Sequence, residues 1–282
     1  MCKAARGAAE SRILTEGGAF VNTVKRGNLY MLCLFCFNLA AQFSFGVYAA
    51  LTENWTLFDS PYFYIYSQAL LFGVPFLAYA LMNRREIAEI LPVARPETGV
   101  MLLVIAMCAC LCPAMMLMSA FTSIFFDNAA AGVFEDLSGQ GLLFTVVSIC
   151  VAPAVFEEIN FRGIILTNYK NAKGAVAVAV NGLFFGLIHL NSQQFLYAFV
   201  LGVVFAAIVR RSQNILYSVA AHFFLNATQV LLDYAFETEP AINDAQPALG
   251  EYAWLAVMSL IGAAAFAALY RAFAKRCTLR EE

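Results

Sequence analysis

The chain has 282 residues, of which 62% are apolar and only 13% are charged, and its mean hydropathy is +0.72. Soluble domains are about half apolar and about a quarter charged, so this composition excludes an ordinary soluble protein. The net charge of −2 says little about partners, and the sequence carries no nucleic-acid-binding footprint. We therefore expect a polytopic membrane protein whose surroundings are the lipid bilayer.

The apolar runs predict an all-α fold, a transmembrane helix bundle of about eight spans. A helix needs about 20 apolar residues to cross a bilayer, and the runs that meet this length come in regular succession along the chain. The predicted spans are 29–51, 61–82, 99–126, 141–166, 174–190, 194–209, 214–235 and 252–274.

The placement of Lys and Arg predicts the orientation of these spans. Cytoplasmic connections of membrane proteins are enriched in basic residues, and here the basic residues occupy the amino-terminal arm, every second connection and the tail. The other connections are acidic and contain no Lys or Arg. Both termini are therefore predicted to be cytoplasmic. The basic residues other than Arg162 lie outside the spans or, for Arg271, at the cytoplasmic end of the last one: Lys3, Arg6, Arg12, Lys25, Arg26, Arg84, Arg85, Arg95, Lys170, Lys173, Arg210, Arg211, Arg271, Lys275, Arg276 and Arg280.

Polar residues inside three of the spans indicate a functional site. An isolated charge at the centre of a bilayer costs about 2.5 to 3.5 kcal/mol on the insertion scale, so such residues usually face the interior of a bundle and have a role there. Both histidines of the protein belong to this set. The set consists of Glu157, Glu158 and Arg162 in the fourth span, Asn181 and His189 in the fifth, and His222, Asn226, Gln229 and Asp233 in the seventh.

Helical spacing separates the roles of the charged residues. Glu158 and Arg162 are four residues apart, so they share a helix face and can neutralise each other. Glu157 points about 100° away and is left as the unpaired acid. An unpaired carboxyl group inside an apolar span is suited to act as a general base. His222 and Asn226 are likewise four residues apart and project together.

The depths of these residues in the bilayer permit them to converge. Counted at 1.5 Å per residue from the predicted cytoplasmic ends, Glu157 lies roughly 15 Å deep, His189 roughly 22 Å, His222 roughly 12 Å and Asn226 roughly 18 Å. The spread of about 10 Å is within the error that helix tilt introduces.

Three kinds of chemistry suit one carboxyl group, two imidazoles and an amide. The first is peptide hydrolysis by a water that a carboxylate and a histidine activate, with histidine and asparagine donors on the oxyanion. The second is a catalytic Zn²⁺ held by Glu157, His189 and His222. The third is proton-coupled transport. An inert polar cluster is the structural alternative, and for Asn181, Gln229 and Asp233 we expect hydrogen bonds between helices.

Three short motifs resemble those of a known protease family. The first motif, "EEINFRG" at 157–163, has two adjacent glutamates and an arginine five residues after the first of them. The second, "FGLIH" at 185–189, has a phenylalanine with a histidine four residues later, and the third, "HFFLN" at 222–226, has a histidine with an asparagine four residues later. All three occur in order in neighbouring spans. They resemble the signatures of the CAAX prenyl protease and bacteriocin-processing enzymes, the CPBP or Abi family of intramembrane proteases, over roughly residues 140–232.

The resemblance implies a role for each matching residue. Glu157 and His189 would activate the attacking water, His222 and Asn226 would stabilise the oxyanion, and the ion pair of Glu158 with Arg162 would hold the site in shape. The family is often called metalloprotease, although a metal-free scheme is also argued for it, so Zn²⁺ on Glu157, His189 and His222 stays open. The implied parts are a cytoplasmic arm at 1–28, amino-terminal helices at 29–139, a catalytic core at 140–235, and an outer loop, last helix and tail at 236–282.

The implied function is an intramembrane endopeptidase that cleaves membrane-associated peptides or proteins. CAAX-type substrates and bacteriocin or peptide processing are both compatible with the resemblance. The compact loops favour a multi-pass protein of a bacterial plasma membrane. A proton-coupled transporter of small solutes and a non-catalytic immunity or scaffold protein are the two other function classes that the sequence leaves open.

Overall fold

A computed structural model describes residues 2–54, 60–84, 87–127, 137, 139–236 and 249–278, with side chains from residue 23 onward except at positions 61, 89, 233, 236, 249 and 278. The described residues form helices and no strand, which confirms the all-α prediction. Six helices are long and apolar enough to cross a membrane, and two apolar helices are shorter. The helices are α1 (Cys2–Thr52), α2 (Tyr62–Met82), α3 (Thr98–Thr122), α4 (Leu142–Asn168), α5 (Gly174–Ile188), α6 (Ser192–Ser212), α7 (Leu216–Phe236) and α8 (Leu249–Thr278).

Helix α4 is the least regular of the eight. It begins after Gly141, whose φ of 93° suits glycine, and it contains two π-helical stretches, Val146–Val151 and Ile159–Ile165, on either side of an α-helical stretch, Ala152–Glu158. A π turn widens the helix locally and is frequent at functional sites. The sequence predicts a span here, but apolar periodicity does not reveal these turns.

Basic residues join the helices at one end of the bundle. Each of these contacts joins segments at the predicted cytoplasmic ends of the helices, so these ends lie together. Four contacts illustrate the grouping: Arg26 to the Asn83 side chain at 2.7 Å, Arg210 to the Ala172 carbonyl at 2.8 Å, Arg211 to the Ala274 carbonyl at 2.9 Å, and Arg276 to Glu97 at 2.6 Å.

Helix α6 lies between two apolar cores. One face packs Ala198, Ala206 and Val209 into a core with α1, α4 and α5, and another packs Phe205 and Ile208 into a core with α3, α7 and α8. Because both cores share α6, the residues that α6 presents to α4 and α7 sit at the centre of the bundle.

Helices α5 and α6 form a tightly packed hairpin. A Cβ on Gly202 would lie 2.7 Å from the Cα of Gly182, so glycine at these positions allows the two backbones to touch. Helix α5 is about 22 Å long at 1.5 Å per residue and ends where Leu190 adopts a φ of 51°. The Asn191 side chain then accepts hydrogen bonds from the amides of Gln193 and Gln194 and begins α6. His189 therefore lies at the tip of the hairpin.

Candidate active site

A buried network of charges joins α4 to α7. Nη1 of Arg162 donates to Oε1 of Glu158 at 2.7 Å, and both side chains have no exposed surface. Nδ1 of His222 lies 3.1 Å from the same Glu158 oxygen. The predicted ion pair is confirmed, and His222 is a second partner of Glu158 that the spacing did not reveal. One carboxylate thus fixes the relative position of two helices.

The guanidinium of Arg162 is enclosed by α5 and α6. Its carbon lies 4.3 Å from the ring centroid of Phe185 and 5.1 Å from that of Phe205, distances at which a desolvated cation is attracted to an aromatic face. Nη2 also donates to the carbonyl of Gly202 at 3.2 Å. Arg162 therefore contacts three groups on two helices besides its carboxylate partner, which explains how a full charge is accommodated among apolar residues.

Glu157 and His189 face each other across the gap between α4 and α5. Oε2 of Glu157 lies 4.0 Å from Nε2 of His189, and the two side chains are 8% and 14% exposed. Oε2 is buried and has no hydrogen-bond partner among the described residues. The unpaired acid predicted from helical spacing is therefore observed beside one of the two histidines.

The backbone determines which nitrogen of His189 faces Glu157 as an acceptor. Nδ1 of His189 lies 2.6 Å from the carbonyl oxygen of Phe185. A carbonyl oxygen only accepts, so Nδ1 carries the proton, and in the neutral imidazole Nε2 has a free lone pair. The Phe185 ring also packs edge-on against His189 at 5.0 Å, as their spacing of four residues predicts. The imidazole is held in one tautomer and one orientation.

A separation of 4.0 Å between Oε2 and Nε2 is too long for a direct hydrogen bond. It suits a water that donates one hydrogen to each atom, since contacts of about 2.8 Å to both would subtend about 90° at the water oxygen. Such a water would keep its lone pairs directed away from both acceptors. The pair is thus arranged to polarise a nucleophile.

Asn226 belongs to the same region through a contact with α4. Its Nδ2 donates to the carbonyl of Ile149 at 2.8 Å. The amide carries two N–H groups on this nitrogen, so this bond uses one of them. His222, one turn away on α7, stacks on Phe205 at 5.4 Å between centroids.

Asn160 is a polar residue of α4 that the sequence prediction omits. It is fully buried, donates to the carbonyls of Phe156 at 2.7 Å and Phe72 at 3.1 Å, and hydrogen-bonds the Tyr30 hydroxyl. These contacts fix α4 against α1 and α2 two residues after the acidic pair. An amide inside an apolar span is the signal that would have found it.

The remaining polar residues of the spans have different surroundings. Asn181 donates to the Phe161 carbonyl at 2.7 Å, which confirms the expected hydrogen bond between helices. Gln229 is exposed on the surface of the bundle. The side chain of Asp233 lies outside the described residues, so its expected hydrogen bond stays a prediction.

The donor atoms at the site do not form a ready three-ligand metal centre. A catalytic zinc takes about three protein ligands at about 2.0 to 2.2 Å, and within the described ranges no three His, Cys, Asp or Glu side chains form a group suited to hold a metal ion. Nδ1 of His222 is engaged with Glu158. On these described residues, no catalytic step is assigned to a metal.

Comparisons with known proteins agree with the motifs. Residues 139–228 match the sequence model of the family described as type II CAAX prenyl endopeptidase Rce1-like. No curated protein and no solved structure matches the chain. The matched region contains all of the residues that meet in the buried network and in the facing acid and imidazole pair. Residues 139–228 of this multi-pass membrane protein therefore belong to the CPBP or Abi family of intramembrane CAAX-type proteases.

Proposed function

We propose that the protein is an intramembrane endopeptidase that hydrolyses peptide bonds of membrane-associated peptides or proteins. The observation that carries this proposal is the separation of 4.0 Å between Oε2 of Glu157 and Nε2 of His189. Both atoms are hydrogen-bond acceptors, so together they orient a water and can take up its proton as it attacks a carbonyl carbon.

Glu157 is the general base in this scheme. The attacking water gives a proton to Oε2 while its oxygen bonds to the scissile carbonyl carbon, and the carbonyl oxygen becomes an oxyanion. The protonated carboxyl group then delivers that proton to the leaving nitrogen as the C–N bond breaks. His189 positions the water through Nε2, and the Phe185 carbonyl keeps its tautomer fixed.

His222 and Asn226 are proposed to stabilise the oxyanion. Nδ1 of His222 is engaged with Glu158, so Nε2 is the ring nitrogen left to face a substrate.

Glu158 and Arg162 are proposed to act by positioning. Glu158 orients His222, and Arg162 neutralises Glu158 while it contacts the Gly202 carbonyl of α6. CAAX-type substrates are the class that the family match favours, and processing of bacteriocins or other peptides is a second substrate class within the same chemistry. Zn²⁺ on Glu157, His189 and His222 is the alternative mechanism, which a chelator tests.

The test compares the purified wild type with Glu157→Gln and His189→Ala in liposomes, using a library of membrane peptides and mass spectrometry of the products. Glutamine keeps the shape of Glu157 but is no base, so we expect Glu157→Gln to lower the cleavage rate by at least about 100-fold. Glu53→Gln, an exposed change directly after the end of α1, is the matched control and keeps the wild-type rate.

The same experiment separates the competing functions. Equal products from wild type and Glu157→Gln would end the catalytic assignment, and solute flux without cleavage would favour a transporter. Cleavage that a chelator abolishes and added Zn²⁺ restores would replace the metal-free scheme with the zinc alternative.

A further inference from the structure

Phe205 is an aromatic residue of α6 that contacts both the guanidinium and the imidazole of the buried network. Its ring centroid lies 5.1 Å from the guanidinium carbon of Arg162 and 5.4 Å from the ring centroid of His222. Phe205 has no exposed surface, and it lies in the chain between the second and third motifs rather than within one of them. The motifs therefore give no reason for an aromatic ring at this position, whereas the structure places the ring against two residues of the site.

The imidazole of His222, on α7, is contacted by the three other helices of the site. Nδ1 lies 3.1 Å from Glu158 of α4. The ring of Phe185 on α5 meets the imidazole edge-on, with 5.9 Å between centroids and 85° between planes. The ring of Phe205 on α6 is stacked on it, with 5.4 Å between centroids and 29° between planes. Among the described residues, these two are the aromatic rings against His222, and the stacked one covers a face of the imidazole.

The hydrogen bond to Glu158 does not by itself fix the plane of the imidazole. A hydrogen bond tolerates a departure of about 30° from linearity before it weakens, and the torsion that turns an imidazole ring is broad. The contact of Nδ1 therefore decides which edge of the ring faces α4, but it leaves the plane loosely set. A stacked neighbour restricts the plane, because a tilt drives imidazole atoms into the face of the Phe205 ring. Since Nε2 lies across the ring from Nδ1, the plane decides where Nε2 points.

We propose that Phe205 is a positioning residue, whose ring holds the plane of the His222 imidazole and so directs Nε2 at the carbonyl oxygen of the scissile bond. This inference rests on the proposed function, which assigns His222 to the oxyanion. The oxyanion forms only as the water attacks, so loss of the Phe205 ring affects the chemical step more than the binding of substrate.

The test is a kinetic cycle of Phe205→Leu, His222→Ala and the double variant, in liposomes with a cleaved peptide. Leucine keeps an apolar side chain at position 205 but removes the flat ring. A displacement of about 1 Å at a catalytic group can cost about 100-fold, so we expect Phe205→Leu to lower kcat at least about tenfold with KM changed by less than about twofold. The double variant should match His222→Ala within about twofold, because Phe205 acts through His222.

Two other phenylalanine-to-leucine changes are the controls. Phe273 is fully buried in the same apolar core as Phe205, and its ring packs on Tyr270 of its own helix. Phe273→Leu therefore measures the loss of a core ring as such. Phe161 lies 5.9 Å from the guanidinium carbon of Arg162, so Phe161→Leu measures the loss of an aromatic contact of that arginine. Both controls should keep kcat within about twofold of wild type.

A second measurement is independent of activity. The chain has two histidines, so in a histidine-labelled protein the nuclear magnetic resonance signals of the His222 ring are identified by their loss in His222→Ala. Protons over the face of an aromatic ring are shifted upfield. Phe205→Leu should therefore move the carbon-bound proton signals of His222 downfield and broaden them, whereas Phe273→Leu should leave them in place. Unchanged His222 signals in Phe205→Leu would show that the Phe205 ring does not hold the imidazole.

Three kinetic results would also overturn the inference. They are a wild-type kcat in Phe205→Leu, an equal loss of kcat in Phe161→Leu or Phe273→Leu, and effects of Phe205→Leu and His222→Ala that simply multiply. Any of them with an inactive Glu157→Gln protein removes the positioning role and leaves the proposed function standing. Equal cleavage by wild type and Glu157→Gln would instead remove the proposed function itself.

Discussion

Replacement of Arg162 by methionine tests the buried network most directly. The substitution keeps an unbranched, flexible side chain but leaves the Glu158 carboxylate, which has no exposed surface, without its 2.7 Å ion-pair partner. Breaking a buried ion pair on one side costs about 3 to 5 kcal/mol. The lost contact with the Phe185 ring at 4.3 Å acts in the same direction. We therefore expect Arg162→Met to lower the free energy of unfolding by about 4 kcal/mol, about a thousandfold in the equilibrium constant.

The assay is reversible unfolding in mixed micelles, followed by far-ultraviolet circular dichroism. Arg276→Met is the matched control, because Arg276 is half exposed in its pair with Glu97 and such pairs contribute at most about 1 kcal/mol. Glu158→Gln combined with Arg162→Met removes both charges and should recover about half of the loss. An Arg162→Met protein as stable as Arg276→Met, or a double variant no more stable than the single one, would refute the reasoning.

Two further predictions concern the hairpin of α5 and α6. Gly202→Ala places a Cβ 2.7 Å from the Cα of Gly182, so we expect the free energy of unfolding to fall by about 2 kcal/mol and cleavage to be reduced. Gly46→Ala is the control, because there is open space around Gly46, and it should be neutral. Equal stabilities of the two variants would contradict the close packing. Leu190 has a φ of 51°, a conformation that β-branched residues disfavour and glycine adopts readily. Leu190→Ile should therefore lower the free energy of unfolding by about 1 to 2 kcal/mol, while Leu190→Gly is tolerated. An isoleucine variant as stable as wild type would argue against this backbone conformation.

The convergence of the site could be predicted from the sequence because lipid makes polar residues conspicuous. Glu157, Glu158, Arg162, His189 and His222 stand out in apolar spans, and spacing of three to four residues assigns helix faces without tertiary information. The Glu158 to Arg162 pair and the packing of Phe185 on His189 follow from that spacing alone.

Other features depend on contacts between helices and left no periodic signal. The π-helical stretches of α4, the Gly202 carbonyl as a partner of Arg162 and the bond from Asn226 to Ile149 belong to this group. Each satisfies or redirects a backbone group, and which neighbour does so is decided by packing.

The unpartnered oxygen of Glu157 also bears on how a cleavage cycle would finish. Peptide hydrolysis leaves a new carboxylate on one fragment, formed where the attacked carbonyl stood, next to an acid that has returned to its anionic form. Two like charges about 4 Å apart repel by about 4 kcal/mol at the effective dielectric constant of a partly buried site. In the proposed mechanism, the carboxylate that activates the water would therefore also disfavour retention of the acidic fragment, and this repulsion would assist product release without any moving lid.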